Sequence, residues 1–131
     1  MIVIDAGVLV AALLGDGSEC AAVRSRLRGE RLAAPELIDL EVGSVARRLV
    51  RSGVVDKERA FSALHDLHDT PIQRSSHSAL IARCWELRDN MTMYDASYVA
   101  LAEALGVPLL TTDARLARSH GATCEFELVP A

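Results

Sequence analysis

Residues 1–5, Met1-Ile2-Val3-Ile4-Asp5, open the chain with an unbroken apolar run that ends on a carboxylate. A strand covered on both faces reads this way, because neither face requires polar side chains. The same figure returns late in the chain as Leu109-Leu110-Thr111, followed by Thr112-Asp113. Leu32 to Ala34, Pro71 to Arg74 and Phe126 to Val129 are further strand candidates, and helical stretches separate them. Val8 to Leu14 and Cys20 to Leu27 read as two short helices broken by Gly15-Asp16-Gly17. Pro35 is expected to open the clearest helix, with Glu36 and Asp39 in its first turn, Ile38, Val42, Val45 and Leu49 at helical spacing, and Gly53 at its end. Asp56 to His68, Ser76 to Arg88, Tyr94 to Leu105 and Asp113 to Ser119 complete the helices; Gly106 and Pro108 form a strong stop for the third of these. Strands alternating with helices predict an α/β fold with a parallel sheet covered on both faces. In such a sheet, ligands bind at the carboxyl ends of the strands.

The chain has 131 residues, 50% hydrophobic, 24% charged and 4% aromatic, which fits one domain (residues 1–131) with a sizeable core and excludes a mostly disordered chain. Fourteen Lys+Arg against 18 Asp+Glu give a net charge of -4, which argues against a protein that coats nucleic acid through basic charge but not against a nuclease that grips through metal ions. Thirteen of the basic residues are arginine and only Lys57 is lysine, which argues against lysine-dependent chemistry. Cys20, Cys84 and Cys124 are odd in number and widely spaced, against both a disulfide scaffold and a structural zinc site, and read as small buried thiols. Without a signal peptide or an apolar run long enough to span a bilayer, the expectation is a cytoplasmic protein with no membrane partner.

Four acids carry the chemical signal. Asp5 and Asp113 each follow a strand, and emerge at the same edge if those strands are parallel neighbours. Taken singly, each is equally readable as a helix cap. Glu41 interrupts an apolar stripe made by Leu37, Ile38, Val42 and Val45, with no basic residue three or four positions away. Burying it unpaired would cost several kcal/mol, so it needs a metal, a cation or a proton unless it reaches water at a rim. Asp95 begins a helix, where Thr92 and Asp95 also suit a capping-box-like pair. Two carboxylates about 4 Å apart repel by roughly 4 kcal/mol at an effective dielectric near 20. A divalent ion relieves that repulsion, and hard oxygen ligands favour Mg²⁺, with Mn²⁺ as a substitute. A metal so held activates water and stabilises charge on a phosphodiester.

The ordered motifs Val3-Ile4-Asp5, Pro35-Glu36-Leu37 leading to Leu40-Glu41-Val42, Tyr94-Asp95-Ala96-Ser97-Tyr98-Val99-Ala100-Leu101-Ala102 and Leu110-Thr111-Thr112-Asp113-Ala114-Arg115-Leu116 resemble PIN-domain ribonucleases of the VapC toxin type, over nearly the whole chain. The resemblance implies a three-layer α/β/α PIN-like domain with about five mainly parallel strands. It also implies a Mg²⁺-dependent endoribonuclease acting as the toxin of a toxin–antitoxin pair. Asp5, Glu41, Asp95 and Asp113 would be the acidic site and metal ligands, Asp5 and Asp95 the principal ones, with Thr111 as auxiliary hydroxyl. RNA would be the substrate, a VapB-like antitoxin the inhibitor, and a homodimer and toxin–antitoxin hetero-oligomer the assemblies. Where the family often places Ser, Thr or Asn just after the first Asp, this chain has Ala6 and Gly7, so the hydrogen bond such a residue makes is either lost or supplied by Thr111.

Two other readings compete. A phosphohydrolase or receiver-type phosphoacceptor using Asp5 lacks its partners, since Gly7 stands where a second Asp is needed and no lysine follows a late strand. A non-catalytic interaction module would use the acids only as caps and as a surface for a basic peptide. His65 and His68, with Asp66 and Asp69, read as a solvated helix face rather than a metal site, and Leu80, Trp85 and Leu87 as core or dimer contacts. Arg47, Arg48 and Arg51 are either a solvated face or contacts to RNA phosphates.

Overall fold

The computed structural model describes residues 1–131. Five strands, β1 (Ile2–Ile4), β2 (Leu32–Pro35), β3 (Ile72–Ser75), β4 (Leu109–Thr111) and β5 (Phe126–Leu128), form one sheet in the order β3-β2-β1-β4-β5, every pair parallel. Seven α-helices connect and cover them: α1 (Ala6–Leu14), α2 (Gly17–Leu27), α3 (Ile38–Arg51), α4 (Lys57–Asp69), α5 (Ile81–Glu86), α6 (Met93–Leu105) and α7 (Ala114–Ala117). The central strands read as continuous apolar runs because helices cover both faces: Val3, Ile4, Ala33, Ala34, Leu109 and Leu110 are all fully buried. One cluster of 26 buried residues joins them to Val8 and Leu9 of α1, Ile38 and Val42 of α3, and Ala96, Val99 and Ala102 of α6. No single helix is long and apolar enough to cross a membrane.

Strand order matters more to the site than strand count. From β1 the chain winds outward through β2 to β3, then returns to place β4 on the other side of β1. The β1/β4 boundary is therefore the point where the winding reverses, and crevices for ligands open at the carboxyl ends of strands at such a point. Ile4 is level with Leu110, so the residues that leave β1 and β4 emerge side by side.

Several expectations shift. Pro35 does not open a helix: it ends β2 opposite Ser75, and the Glu36 N–H donates to the Ser75 carbonyl at 2.9 Å. The pairing of β2 to β1 has already ended at Ala33, so the N–H that proline lacks is not needed there, and α3 starts only at Ile38. The stretch Ser76 to Arg88 is not one helix but a 3₁₀ turn at Ser78–Leu80 followed by the short α5. Leu80, Cys84 and Leu87 still face the core, whereas Trp85 is 59% exposed beneath the Arg88 guanidinium and is not a core residue. The helix after Asp113 spans only Ala114–Ala117. Gly106 ends α6 in the left-handed conformation at φ 66, as its position predicts. All three cysteines are free thiols, but only Cys84 is fully buried; Cys20 and Cys124 are half-buried.

Candidate active site

Asp5 leaves β1 and caps α1, its Oδ1 accepting the Val8 N–H at 2.9 Å. Its other oxygen, Oδ2, accepts a short hydrogen bond from the Thr111 hydroxyl at the end of β4. The Thr111 Oγ1 also accepts the Asp113 N–H at 2.9 Å, so one fully buried hydroxyl joins the ends of β1 and β4. The hydrogen bond that Ala6 cannot give Asp5 thus comes from Thr111. Gly7 has a steric reason to follow: a Cβ there would stand 2.3 Å from the Thr112 hydroxyl oxygen. The absence of a side chain lets the start of α1 close on the β4–α7 turn.

Asp113 caps α7, its Oδ1 accepting the N–H groups of Arg115 at 2.9 Å and Leu116 at 3.3 Å. Asp95 lies in the first turn of α6, where its N–H donates to the Thr92 hydroxyl at 3.1 Å. Only this half of the expected capping pair forms, and the Asp95 carboxylate is left without a protein donor. Glu41, in the first turn of α3, finds its partner across the fold: the Tyr98 hydroxyl donates to its Oε1 at 2.6 Å. Tyr98 is nearly fully buried and sits one turn after Asp95 on α6. The reading of local neighbours missed it, although the spacing of three between Asp95 and Tyr98 places both on one helix face.

Electrostatics binds these residues into one unit. Burial raises the Asp5 carboxyl above its usual range, the Thr111 and Val8 hydrogen bonds oppose this, and Asp95 and Asp113 push it further up. Burial likewise raises Glu41, against the Tyr98 hydrogen bond and with the repulsion of Asp95. Asp95 is raised by burial and by Asp113, and lowered by the neighbouring Thr92 hydroxyl and by Arg115. None of Asp5, Glu41, Asp95 and Asp113 forms an ion pair with a basic side chain. Coulombic coupling of Asp5 to Asp95 and Asp113, of Asp95 to Asp113 and of Glu41 to Asp95, with the Thr111 hydroxyl joining Asp5 to the Asp113 backbone, gathers the five residues singled out by the sequence at the carboxyl edge of β1 and β4.

The donor set suits a hard divalent ion: four carboxylates, each raised in energy or left with an unused oxygen, and no soft ligand among them. As the side chains stand, no three of them close on a single point. The Oδ1 atoms of Asp5 and Asp113 are turned onto backbone N–H groups, and the oxygens free of protein donors are both of Asp95, Oδ2 of Asp113 and Oε2 of Glu41. His65 and His68 lie on exposed α4 beside Asp69 and belong to no metal cluster. Arg47, Arg48 and Arg51 are exposed in the second half of α3, Arg51 roughly 15 Å along the helix from Glu41.

The five-stranded parallel sheet whose winding reverses at β1/β4 belongs to a recognised class: the chain is a member of the PIN-domain family, whose profile matches residues 2–121. Within it, the chain is 47% identical to Ribonuclease VapC1 of Mycobacterium tuberculosis over 97% of this chain and 96% of that protein. It is 43% identical to Ribonuclease VapC9 of the same organism over 99% of both. Solved structures share the fold: Mycobacterium tuberculosis VapC20, described as a sarcin-ricin loop cleaving toxin, superposes with a TM-score of 0.69 at 14% identity, covering 88% of this chain and 92% of that one. VapBC2 of Rickettsia felis, bound to a DNA fragment from its promoter, gives 0.69 at 18% identity over 98% and 99%.

Proposed function

We propose that this chain is a Mg²⁺-dependent endoribonuclease, the toxin of a VapBC-type pair, with Mn²⁺ able to replace Mg²⁺. The observation that carries the proposal is the acid cluster itself: Asp5 is repelled by Asp95 and Asp113, Asp95 by Asp113 and Glu41 by Asp95, with no basic side chain ion-paired to any of them, an arrangement that a divalent ion stabilises. The names of the 43–47% identical relatives support ribonuclease activity.

Asp5 and Asp95 would hold the ion, with Asp113 completing the set directly or through water. When bound, the ion would polarise the scissile phosphodiester and make an attacking water more acidic. Thr111 fixes the Asp5 carboxylate in place and ties it to the Asp113 backbone. Tyr98 fixes Glu41 through Oε1 and leaves Oε2 to orient the attacking water and accept its proton. The partner proposed is a VapB-like antitoxin that places a basic side chain in the acidic hollow. The toxin–antitoxin complex among the similar folds supports such a partner. Homodimerisation and assembly with the antitoxin are part of the same reading.

The test is cleavage-site mapping on total RNA with the wild type and Asp5→Asn side by side. Asp5→Asn is expected to lose cleavage and growth arrest while keeping its fold by circular dichroism. Undiminished cleavage by that variant would refute the proposal.

A further inference from the structure

Beside the acid hollow, between the segment ahead of α6 and the start of α7, lies a cavity of about 340 Å³ lined by Asn90, Thr92, Asp95, Asp113, Arg115 and Ser119, among others. Two of the four acids open into it, and it is large enough for a phosphodiester and its ribose. Arg115 is its one basic residue.

Arg115 differs from the arginines that hold the fold together. Arg26 is tied to Glu127 and Glu30, Arg83 to Glu103 and Glu86, Arg74 to Asp39, and Arg59 to Asp16. The exposed guanidinium of Arg115 makes no hydrogen bond or ion pair, although it lines a cavity with two carboxylates, Asp95 and Asp113. The backbone N–H of Arg115 is bound by Asp113, which sets where the residue starts but leaves all five donors of its side chain unused.

A polyanion approaching this site meets a chain of net charge -4 and a cluster of carboxylates. An ion held by the acids offsets that repulsion at the phosphate being cut and leaves the next phosphate along the strand uncompensated. Arg47, Arg48 and Arg51 lie two to three turns along α3 from Glu41 and line no part of this cavity. A planar guanidinium with free donors matches a phosphate in charge and in its two-pronged geometry.

Building on the nuclease reading, we propose that this cavity is the subsite for the RNA phosphate adjacent to the one cleaved, and that Arg115 grips it. The acids carry the cut, and Arg115 sets which bond lies over them.

The experiment measures binding of a single-stranded oligoribonucleotide containing a mapped cleavage site, in a Glu41→Gln background that removes the proposed proton acceptor and keeps Asp5 and Asp95, with saturating Mn²⁺, across a salt series. Adding Arg115→Ala should weaken binding about tenfold or more and flatten the slope of log K against log salt by about 0.7, the value for one lost contact to a single strand. Arg115→Lys should retain the slope. A methylphosphonate at the phosphate next to the scissile one should weaken binding by the Arg115 protein and leave Arg115→Ala unaffected. In the same background, Arg115→Ala should bind Mn²⁺ more tightly, because Asp95 loses its cationic neighbour, so metal and RNA affinity move in opposite directions. Tighter Mn²⁺ binding with unchanged RNA affinity and slope would show that Arg115 only moderates the acids, and would overturn the subsite. Weakened antitoxin binding with unchanged RNA binding would overturn it in favour of a protein carboxylate. A wild-type chain that cleaves no RNA would overturn the nuclease reading and the subsite together, whereas cleavage with an unchanged slope overturns the subsite alone.

Discussion

The Thr111 hydroxyl is fully buried, donates to Asp5 and accepts from the Asp113 backbone, so it has no unused role. Thr111→Val keeps the shape and removes both hydrogen bonds. It should cost about 1–3 kcal/mol in chemical denaturation, because a buried carboxylate loses one of its two donors and a backbone N–H is left without an acceptor. Thr111→Ser should recover most of that stability. Tyr98 acts on the proposed base in the same way. Its hydrogen bond holds the Glu41 pKa down against burial, so Tyr98→Phe lets it rise and leaves more of Glu41 protonated at a given pH. The acidic limb of the kcat/KM–pH profile for RNA cleavage should therefore move to higher pH. An unmoved limb would remove Glu41 as the proton acceptor.

At the level of elements, the site depends on how closely α1 approaches the β4–α7 turn. Gly7 lies in the first turn of α1, where alanine would normally favour the helix by up to about 1 kcal/mol. Here the added Cβ meets the Thr112 hydroxyl oxygen at 2.3 Å, so Thr112 must change rotamer or the turn must shift. Gly7→Ala should accordingly be neutral or destabilising in the wild type and stabilising in a Thr112→Ala background, a sign change readable in thermal melts. A Gly7→Ala that stabilised both backgrounds equally would deny the close approach. Helices with a clear apolar period and a strong stop were legible in advance: α6 ends at Gly106 as its sequence demands. The errors fell where local and tertiary demands differ. Pro35 suits a helix start by itself, but the β3 strand offers the following N–H an acceptor at Ser75, and pairing prevails. The stretch before α5 keeps its buried face while its backbone tightens into a 3₁₀ turn, a change that side-chain periodicity does not record.

For the molecule as a whole, the acid hollow sets how stability responds to pH and metal. Asp5, Glu41 and Asp95 have folded-state pKa values above their ordinary ones. The folded state thus binds protons more readily than the unfolded chain; the stability this confers is complete below about pH 4 and is lost as pH rises through the raised values. Glu103 and Glu127 are lowered by Arg83 and Arg26, and their contribution is lost only as pH falls below the ordinary carboxylate range. In chelator, the melting temperature should therefore fall as pH climbs above the ordinary carboxylate range, and Asp5→Asn should flatten that decline. Saturating Mn²⁺ should restore stability near neutrality through linkage, and Asp95→Asn should abolish the gain. A flat pH profile with no response to Mn²⁺ would leave the acids as helix caps alone.

The sequence by itself determined that apolar runs end in carboxylates, that helices separate those runs, and that Glu41 stands on an apolar stripe without a local partner. These follow from periodicity, spacing and the cost of burying charge, which act within a few residues. The tertiary structure alone decided that β4 lies against β1, that Tyr98 is the partner of Glu41, that one Thr111 hydroxyl links Asp5 to Asp113, and that Arg115 stands unpaired beside them. Each of these is a contact between residues up to 106 positions apart. Such contacts depend on the order in which strands join the sheet, and no local pattern in the chain encodes that order.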